Sequence, residues 1–147
     1  MRTLAVLPCG KQKIWKHHPE SGPAFAAEAY TGTLHRYMQS YARFHADDFC
    51  ILSALHGFLL PEDIVPEDYD RSFSQPPSET ISTGELTRQF HEKGLDAFDR
   101  YMMMTGRKYE KVVKGIIPEE RRTYPLEGLG GIGYILNYLK KEEADRY

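Results

Sequence analysis

Cys9-Gly10-Lys11-Gln12-Lys13 puts a thiol, a flexible turn and two ammonium groups into one short stretch. A glycine turn with lysines after a buried strand can hold a phosphate or a nucleic-acid backbone, because exposed amides and cations both favour anions. The stretch is not a Walker A loop, which requires GxxxxGK[ST]. A thiol in that setting is a nucleophile when cations lower its pKa and a base stands within hydrogen-bond reach. Otherwise it is a small residue closing a strand. The base the sequence offers is His56, in Ser53-Ala54-Leu55-His56-Gly57. Small residues there let a ligand approach the backbone. His56 suits acid–base work or hydrogen bonding to a base or phosphate, and equally the capping of a strand end. A third group is Pro66-Glu67-Asp68-Tyr69-Asp70. Carboxylates beside a tyrosine can orient a hydroxyl, a water or a base edge, although solvated loop acids look the same in sequence.

These groups need elements to position them. Leu4-Ala5-Val6-Leu7-Pro8 reads as a buried strand entering a turn at Cys9-Gly10. Leu34, Tyr37, Met38, Tyr41 and Ala42 form one apolar face of a helix over Thr33 to His45, with His35 and His45 on or near its polar side. Phe49 to Leu55 reads as a second buried strand. The stretch from about 58 to 79 holds Pro61, Pro66, Pro76 and Pro77, which predicts a long irregular loop. A helix is expected over Thr83 to His91, and a strand from Asp99 into a turn at Gly106. Tyr109, Val112, Val113, Ile116 and Ile117 space as a helix that Pro118 stops. Thr123-Tyr124 suggests a short strand. A last helix runs from Gly131 to about Glu143, with Ile132, Ile135, Leu136 and Leu139 facing inward.

This alternation predicts a single α/β domain over 1–147, a three-layer α/β/α arrangement with a mostly parallel central sheet of about four strands. Ligands of such sheets bind outside the carboxyl ends of the strands. That rule singles out Cys9 to Lys13, Ser53 to Gly57 and Thr105 to Lys108.

Composition limits the function classes. The chain has 147 residues, 41% hydrophobic and 27% charged, ordinary for a globular protein. Net charge is -2, but it is a cancellation. From Ala46 to Glu79 eight acids face Arg71 alone, while from Arg107 to Arg122 six basic residues face three acids. A basic patch for nucleic acid therefore remains open. No apolar stretch is long enough to span a membrane, so no membrane partner is expected. Two cysteines, Cys9 and Cys50, without CxxC spacing predict neither zinc nor a disulfide framework, and no metal or cofactor is expected. Reduced thiols fit the cytoplasm.

Several stretches together resemble a bacterial and phage family of unknown function. They are Pro8-Cys9-Gly10-Lys11-Gln12-Lys13, Ala29-Tyr30-Thr31-Gly32, Ile51-Leu52-Ser53-Ala54-Leu55-His56-Gly57 with Pro61, Ile64 and Tyr69-Asp70, and Pro125-Leu126-Glu127-Gly128-Leu129 before the last helix. Family members carry a CGKxK-type start, a YTS or YTG segment, and an LSAxHGLLxP…PYD stretch. The central stretch is also similar to the LSGLYGLLRPLD…PYR segment of the YaaA peroxide-stress proteins, which are associated with DNA binding and protection from oxidative damage. Two departures stand out. Glu67-Asp68 separates Pro66 from Tyr69, where the pattern has Pro directly before Tyr, and Gly130-Gly131 doubles a single glycine.

The resemblance implies nucleotide, nucleic-acid or nucleobase chemistry. Together with the strand-end rule it gives a specific expectation. Gly10, Lys11, Lys13, Thr31, Ser53, Gly57 and Tyr69 contact the ligand. His56 acts as acid or polar contact, Asp70 steadies a water or cationic intermediate at a nucleobase or glycosidic bond, and Cys9 is the possible nucleophile. The partner is a nucleotide or nucleic acid, and the chain is a monomer or homodimer. Two other classes stay open: a non-catalytic DNA- or RNA-binding module of stress or phage biology, and a protein-interaction domain whose Pro-rich loop is the contact surface.

Overall fold

The computed structural model describes residues 1–146. The chain runs β1 (Thr3–Pro8), β2 (Ala24–Phe25), α1 (Ala26–Ala29), α2 (Thr33–His45), β3 (Asp48–Ser53), β4 (Gly57–Leu59), β5 (Ile64–Val65), α3 (Thr83–Glu92), β6 (Arg100–Met103), α4 (Glu110–Val113), β7 (Arg122–Thr123) and α5 (Ile132–Asp145). A five-stranded sheet has the order β4-β3-β1-β6-β7, and β2 and β5 form a separate two-stranded ribbon. β3, β1, β6 and β7 are parallel, and β4 alone is antiparallel. The sheet has one strand more than the sequence predicts. Gly57–Leu59 is paired back onto β3 and is not the start of an irregular loop.

β1 lies at the centre because its residues suit no other place. Leu4, Ala5, Val6 and Leu7 are all fully buried. A continuous apolar run of this kind needs cover on both faces. Side chains alternate across the sheet. Ala5, Leu7, Phe49, Ile51 and Met102 point to one face, with Met38, Tyr41 and Ala42 of α2 and Leu139 of α5. Leu4, Val6, Cys50, Leu52, Tyr101 and Met103 point to the other, with Leu86 and Phe90 of α3 and Val113 of α4. The chain leaves β1 through α2 to β3 on one side, then crosses through α3 to β6 on the other. This reversal falls between β1 and β6, and the carboxyl ends of strands at such a switch are the usual ligand position of these sheets.

Three elements differ from the periodicity reading. The stripe from Tyr109 to Ile117 is broken. A tight turn over Arg107–Tyr109 leads into the short α4, and Gly115 at φ 79 ends the helix. Val113, Ile116 and Ile117 are buried all the same, so the apolar signal was right about burial and wrong about helix length. Ile132 is 68% exposed rather than inward, because α5 meets the core through Ile135, Tyr138 and Leu139.

The third is His35. It lies on the α2 face turned to the sheet and is only 4% exposed. Its Nδ1 lies 3.1 Å from the Pro8 carbonyl, and its Nε2 lies 2.9 Å from Gln39 Nε2. Gln39 also donates to the Ala27 carbonyl, and its Oε1 accepts from Arg43. The partners fix the tautomer: Nδ1–H donates to Pro8 and Nε2 accepts from Gln39. Burial lowers the His35 pKa to about 4.

Protonation would set an Nε2–H against the Gln39 amide donor. Between about pH 6.5 and 4 the unfolded chain therefore binds the proton and the folded chain does not, so stability falls as pH falls. Chemical denaturation at pH 7 and 4.5 should show the wild type losing about 2–3 kcal/mol more than His35→Asn, which keeps the donor to Pro8. Equal losses would refute the buried neutral imidazole.

Gly57 carries a second steric demand. Its φ is +77, and a Cβ there would stand 2.1 Å from Gln89 Oε1 and 2.6 Å from Ile81 Cδ1. Gln89 occupies that space because it joins the His56 carbonyl to the Phe58 amide. Gly57→Ala should cost about 2–4 kcal/mol by thermal or denaturant unfolding. A loss under about 0.5 kcal/mol would show that the turn has another way to close.

Candidate functional site

Because β1 and β3 run parallel with Pro8 opposite Leu52, their carboxyl ends bring Cys9 and Ser53 to the same rim. Both continue the α2-facing side of their strands. Tyr30 reaches that rim from the segment before α2, and Lys13 forms an antiparallel bridge with it. Tyr69 reaches it from the long segment after β5. The cluster is therefore drawn from four separate parts of the chain.

Ser53 is fully buried, and its Oγ accepts the amides of Leu55 at 3.2 Å and His56 at 3.1 Å. With its lone pairs engaged, the hydroxyl donates to the Tyr69 oxygen at 2.8 Å. Tyr69 in turn is hydrogen-bonded to the Tyr30 hydroxyl. Burial raises both phenols, Tyr30 to about 12, and the neighbouring Cys9 raises Tyr69 further. The chain Ser53–Tyr69–Tyr30 is neutral at physiological pH.

Cys9 is half-buried and unpaired. Burial pushes its thiol up, and the Ala54 amide, the Lys13 charge and the Tyr69 hydroxyl offset only part of that. The group is a protonated thiol rather than a ready nucleophile. No hydrogen bond joins it to His56 among the described residues. The His56 ring instead stands edge-on to Tyr69, 4.9 Å between centroids. Burial and the Lys93 charge lower the His56 pKa, and its buried Nε2 has no hydrogen-bond partner.

Lys13 is the one charge at the centre of this cluster. The residue is 7% exposed. Its Nζ donates to the Lys11 carbonyl at 3.3 Å and lies 4.5 Å from the centre of the Tyr69 ring. No carboxylate pairs with it among the described residues. Lys13 is thus the buried member of the pair and Lys11 the exposed one.

The sequence-predicted residues divide accordingly. Cys9, Lys13, Ser53 and Tyr69 converge, with His56 at the far edge of Tyr69. Gly10 closes the β1 end near His35 Cβ. Thr31 lies beside the cluster, its Oγ1 buried without a partner. Gly57 faces Gln89 and Ile81. Asp70 is exposed and makes no side-chain hydrogen bond or ion pair among the described residues. Tyr30 was missed as a site residue, although it stood in the Ala29-Tyr30-Thr31-Gly32 stretch. Tyr109 was also missed. Cys9 raises its phenol after burial does, and Phe73 of the long segment packs edge-on against it at 5.6 Å. Among the described residues no three His, Cys, Asp or Glu side chains converge as metal ligands. No helix among the described residues is long and apolar enough to cross a membrane.

The same residues lie within the stretch from 4 to 141 that matches a family model. The chain belongs to DUF6884, a family of unknown function. One relative, the uncharacterized protein YfjM of Bacillus subtilis (strain 168), is 39% identical over 148 residues, covering 100% of this chain and 99% of that protein. No solved structure matches.

The hydroxyl chain makes a test possible. Tyr69→Phe leaves the Ser53 and Tyr30 hydroxyls without their shared partner, at a cost of about 1–3 kcal/mol. It also removes the hydroxyl that holds the Cys9 thiol pKa down, so that pKa rises further. The variant should react more slowly than wild type with a thiol reagent at pH 7.5, with Cys50 silent until the protein is unfolded. Unchanged stability and thiol kinetics would show that the tyrosine hydroxyl supports neither the cluster nor the thiolate.

Proposed function

We propose that this protein binds a phosphate-bearing nucleotide at the carboxyl edge of its sheet, with Lys13 selecting the phosphate. The observation that carries the reading is that Lys13, a residue only 7% exposed, has no carboxylate partner among the described residues. A charge removed from water is costly unless it is paired. One carbonyl and one aromatic face leave part of that cost uncompensated. An anion supplies the missing partner. The surrounding groups suit such a ligand, because Cys9, the Tyr30–Tyr69 hydroxyl pair and neutral His56 offer hydrogen bonds without adding negative charge, with Ser53 holding Tyr69 in place.

The rest of a nucleotide would meet Tyr69 and His56. His56 carries a free ring nitrogen that can donate to or accept from a base, and it would be the proton carrier if the protein acts on a nucleobase or a glycosidic bond. Asp70 would join only if the segment around Tyr69 turned it inward. The likeness of the central stretch to YaaA proteins supports a nucleotide over other phosphorylated ligands.

Isothermal titration with thymidine 5′-monophosphate and with inorganic phosphate tests this. Lys13→Met should weaken both by about ten-fold or more, a difference of about 1.4 kcal/mol. Lys13→Arg should retain most of the affinity, and circular dichroism should show that both variants fold. Equal binding by wild type and Lys13→Met, or none by either, would overturn the reading.

A further inference from the structure

A groove of about 680 Å³ runs along α2 beside the strand-end cluster. It begins at Tyr30 and Thr31, the residues that join the Lys13 loop: Lys13 bridges Tyr30, and the Thr31 amide donates to the Gln12 carbonyl at 3.1 Å. The phenol of Tyr30 belongs to the cluster while the residue also lines the groove.

The groove is unevenly charged. Arg36 and Arg43 line it from α2, seven residues and hence about 10 Å apart along one face. Arg36 is exposed and makes no side-chain hydrogen bond or ion pair among the described residues. Arg43 donates to Gln39 and has no acidic partner. Two more cations stand against lining residues: Lys140 lies over the Tyr37 ring, and Arg146 bonds the Ser40 carbonyl and hydroxyl. Against these four the groove holds Glu28 and Glu143, neither of them ion-paired among the described residues. Some arginines elsewhere are neutralised, as Arg2 is by Asp48, Arg88 by Glu85 and Glu92, and Arg107 by Glu127. Arg71, Arg100 and Arg121 bond only a carbonyl or a sulfur among the described residues. The groove differs in bringing its cations to one face. The buried Thr31 Oγ1, without a partner, sits at the junction of groove and cluster.

We infer that this groove is a second phosphate subsite, so that the ligand is a nucleotide chain with one phosphate at Lys13 and the next against Arg36 and Arg43. The inference rests on the proposed nucleotide site and names its substrate class more closely. Thr31 Oγ1 gains a hydrogen-bond partner at the point where such a ligand passes from one subsite to the other. The cationic excess supplies an affinity that depends on salt, as phosphate contacts do.

The test compares thymidine 5′-monophosphate with the 5′-phosphorylated thymidine dinucleotide. Wild type should bind the dinucleotide about ten-fold more tightly, with a steeper salt dependence. Arg36→Gln, whose side chain supports nothing else in the fold, should bring the dinucleotide down towards the mononucleotide. It should reduce the slope of log affinity against log salt by about 0.7 and leave mononucleotide binding unchanged. Arg43→Gln should act in the same direction, with its melting temperature followed because Arg43 also supports Gln39. Equal affinity for the two ligands in wild type, or a dinucleotide preference that survives both substitutions, overturns the second subsite and leaves the Lys13 reading standing. Dinucleotide binding that needs Arg36 but not Lys13 keeps the groove and removes the strand-end site. No binding of either ligand removes both.

Discussion

The hydrogen bond from neutral His35 to the Pro8 carbonyl holds the site end of the molecule together. Pro8 is the last residue of the central strand, and Cys9, Gly10 and the Lys13 loop hang from it. The bond ties that strand end to α2. Gln39 extends the tie to Ala27, so α2 and the segment carrying Tyr30 are fixed by one network. The network requires one protonation state and one tautomer. A buried imidazole in a fully satisfied network specifies a geometry in a way that an apolar contact does not. Tyr30, Cys9 and Lys13 therefore meet because His35 fixes the distance between the elements that carry them.

Given that frame, the central fact about the site is where negative charge is absent. The middle of the chain is strongly acidic, yet half of its carboxylates are committed elsewhere, and Glu62, Glu67, Asp70 and Glu79 are exposed. Asp47 accepts the Thr3 amide, Asp48 pairs with Arg2, and Asp63 pairs with Lys93 and caps the Leu60 amide. Asp68 accepts the amide of Tyr69. The same segment delivers a phenol, not a carboxylate, to Lys13. A tyrosine ring offsets part of the cost of a buried ammonium while leaving its charge in place. A carboxylate in that position would have cancelled it.

Much of this frame was legible in sequence. α2 and the start of α3 follow from apolar spacing, and the continuous run from Leu4 to Leu7 placed β1 at the centre. The parallel order, with the strand-end rule, put Cys9 and Ser53 on one rim. The misses share a physical cause. Local pattern describes a residue's own element and not what a distant element places against it. His35 reads as a polar-face residue until Pro8 is seen opposite it. Lys13 and Lys11 read alike in sequence until Tyr69, fifty-six residues on, is seen over Lys13. Asp70 and Tyr69 are adjacent in sequence and so were expected to act together, but neighbours in an extended segment point apart. β4 was hidden because a strand of three residues carries no period.

The resemblance and the geometry stress different residues, and the difference is informative. A motif reading gives equal weight to every residue of the CGKxK start. The structure separates its two lysines, one solvated and one buried, and only the buried one meets the tyrosine that arrives from the PYD-like stretch. The two stretches are thus halves of one contact in this chain. Glu67-Asp68 stands between Pro66 and Tyr69, and Tyr69 still reaches Ser53 and Lys13. What the two stretches build here is a tyrosine over a lysine, with Glu67, Asp68 and Asp70 around it exposed.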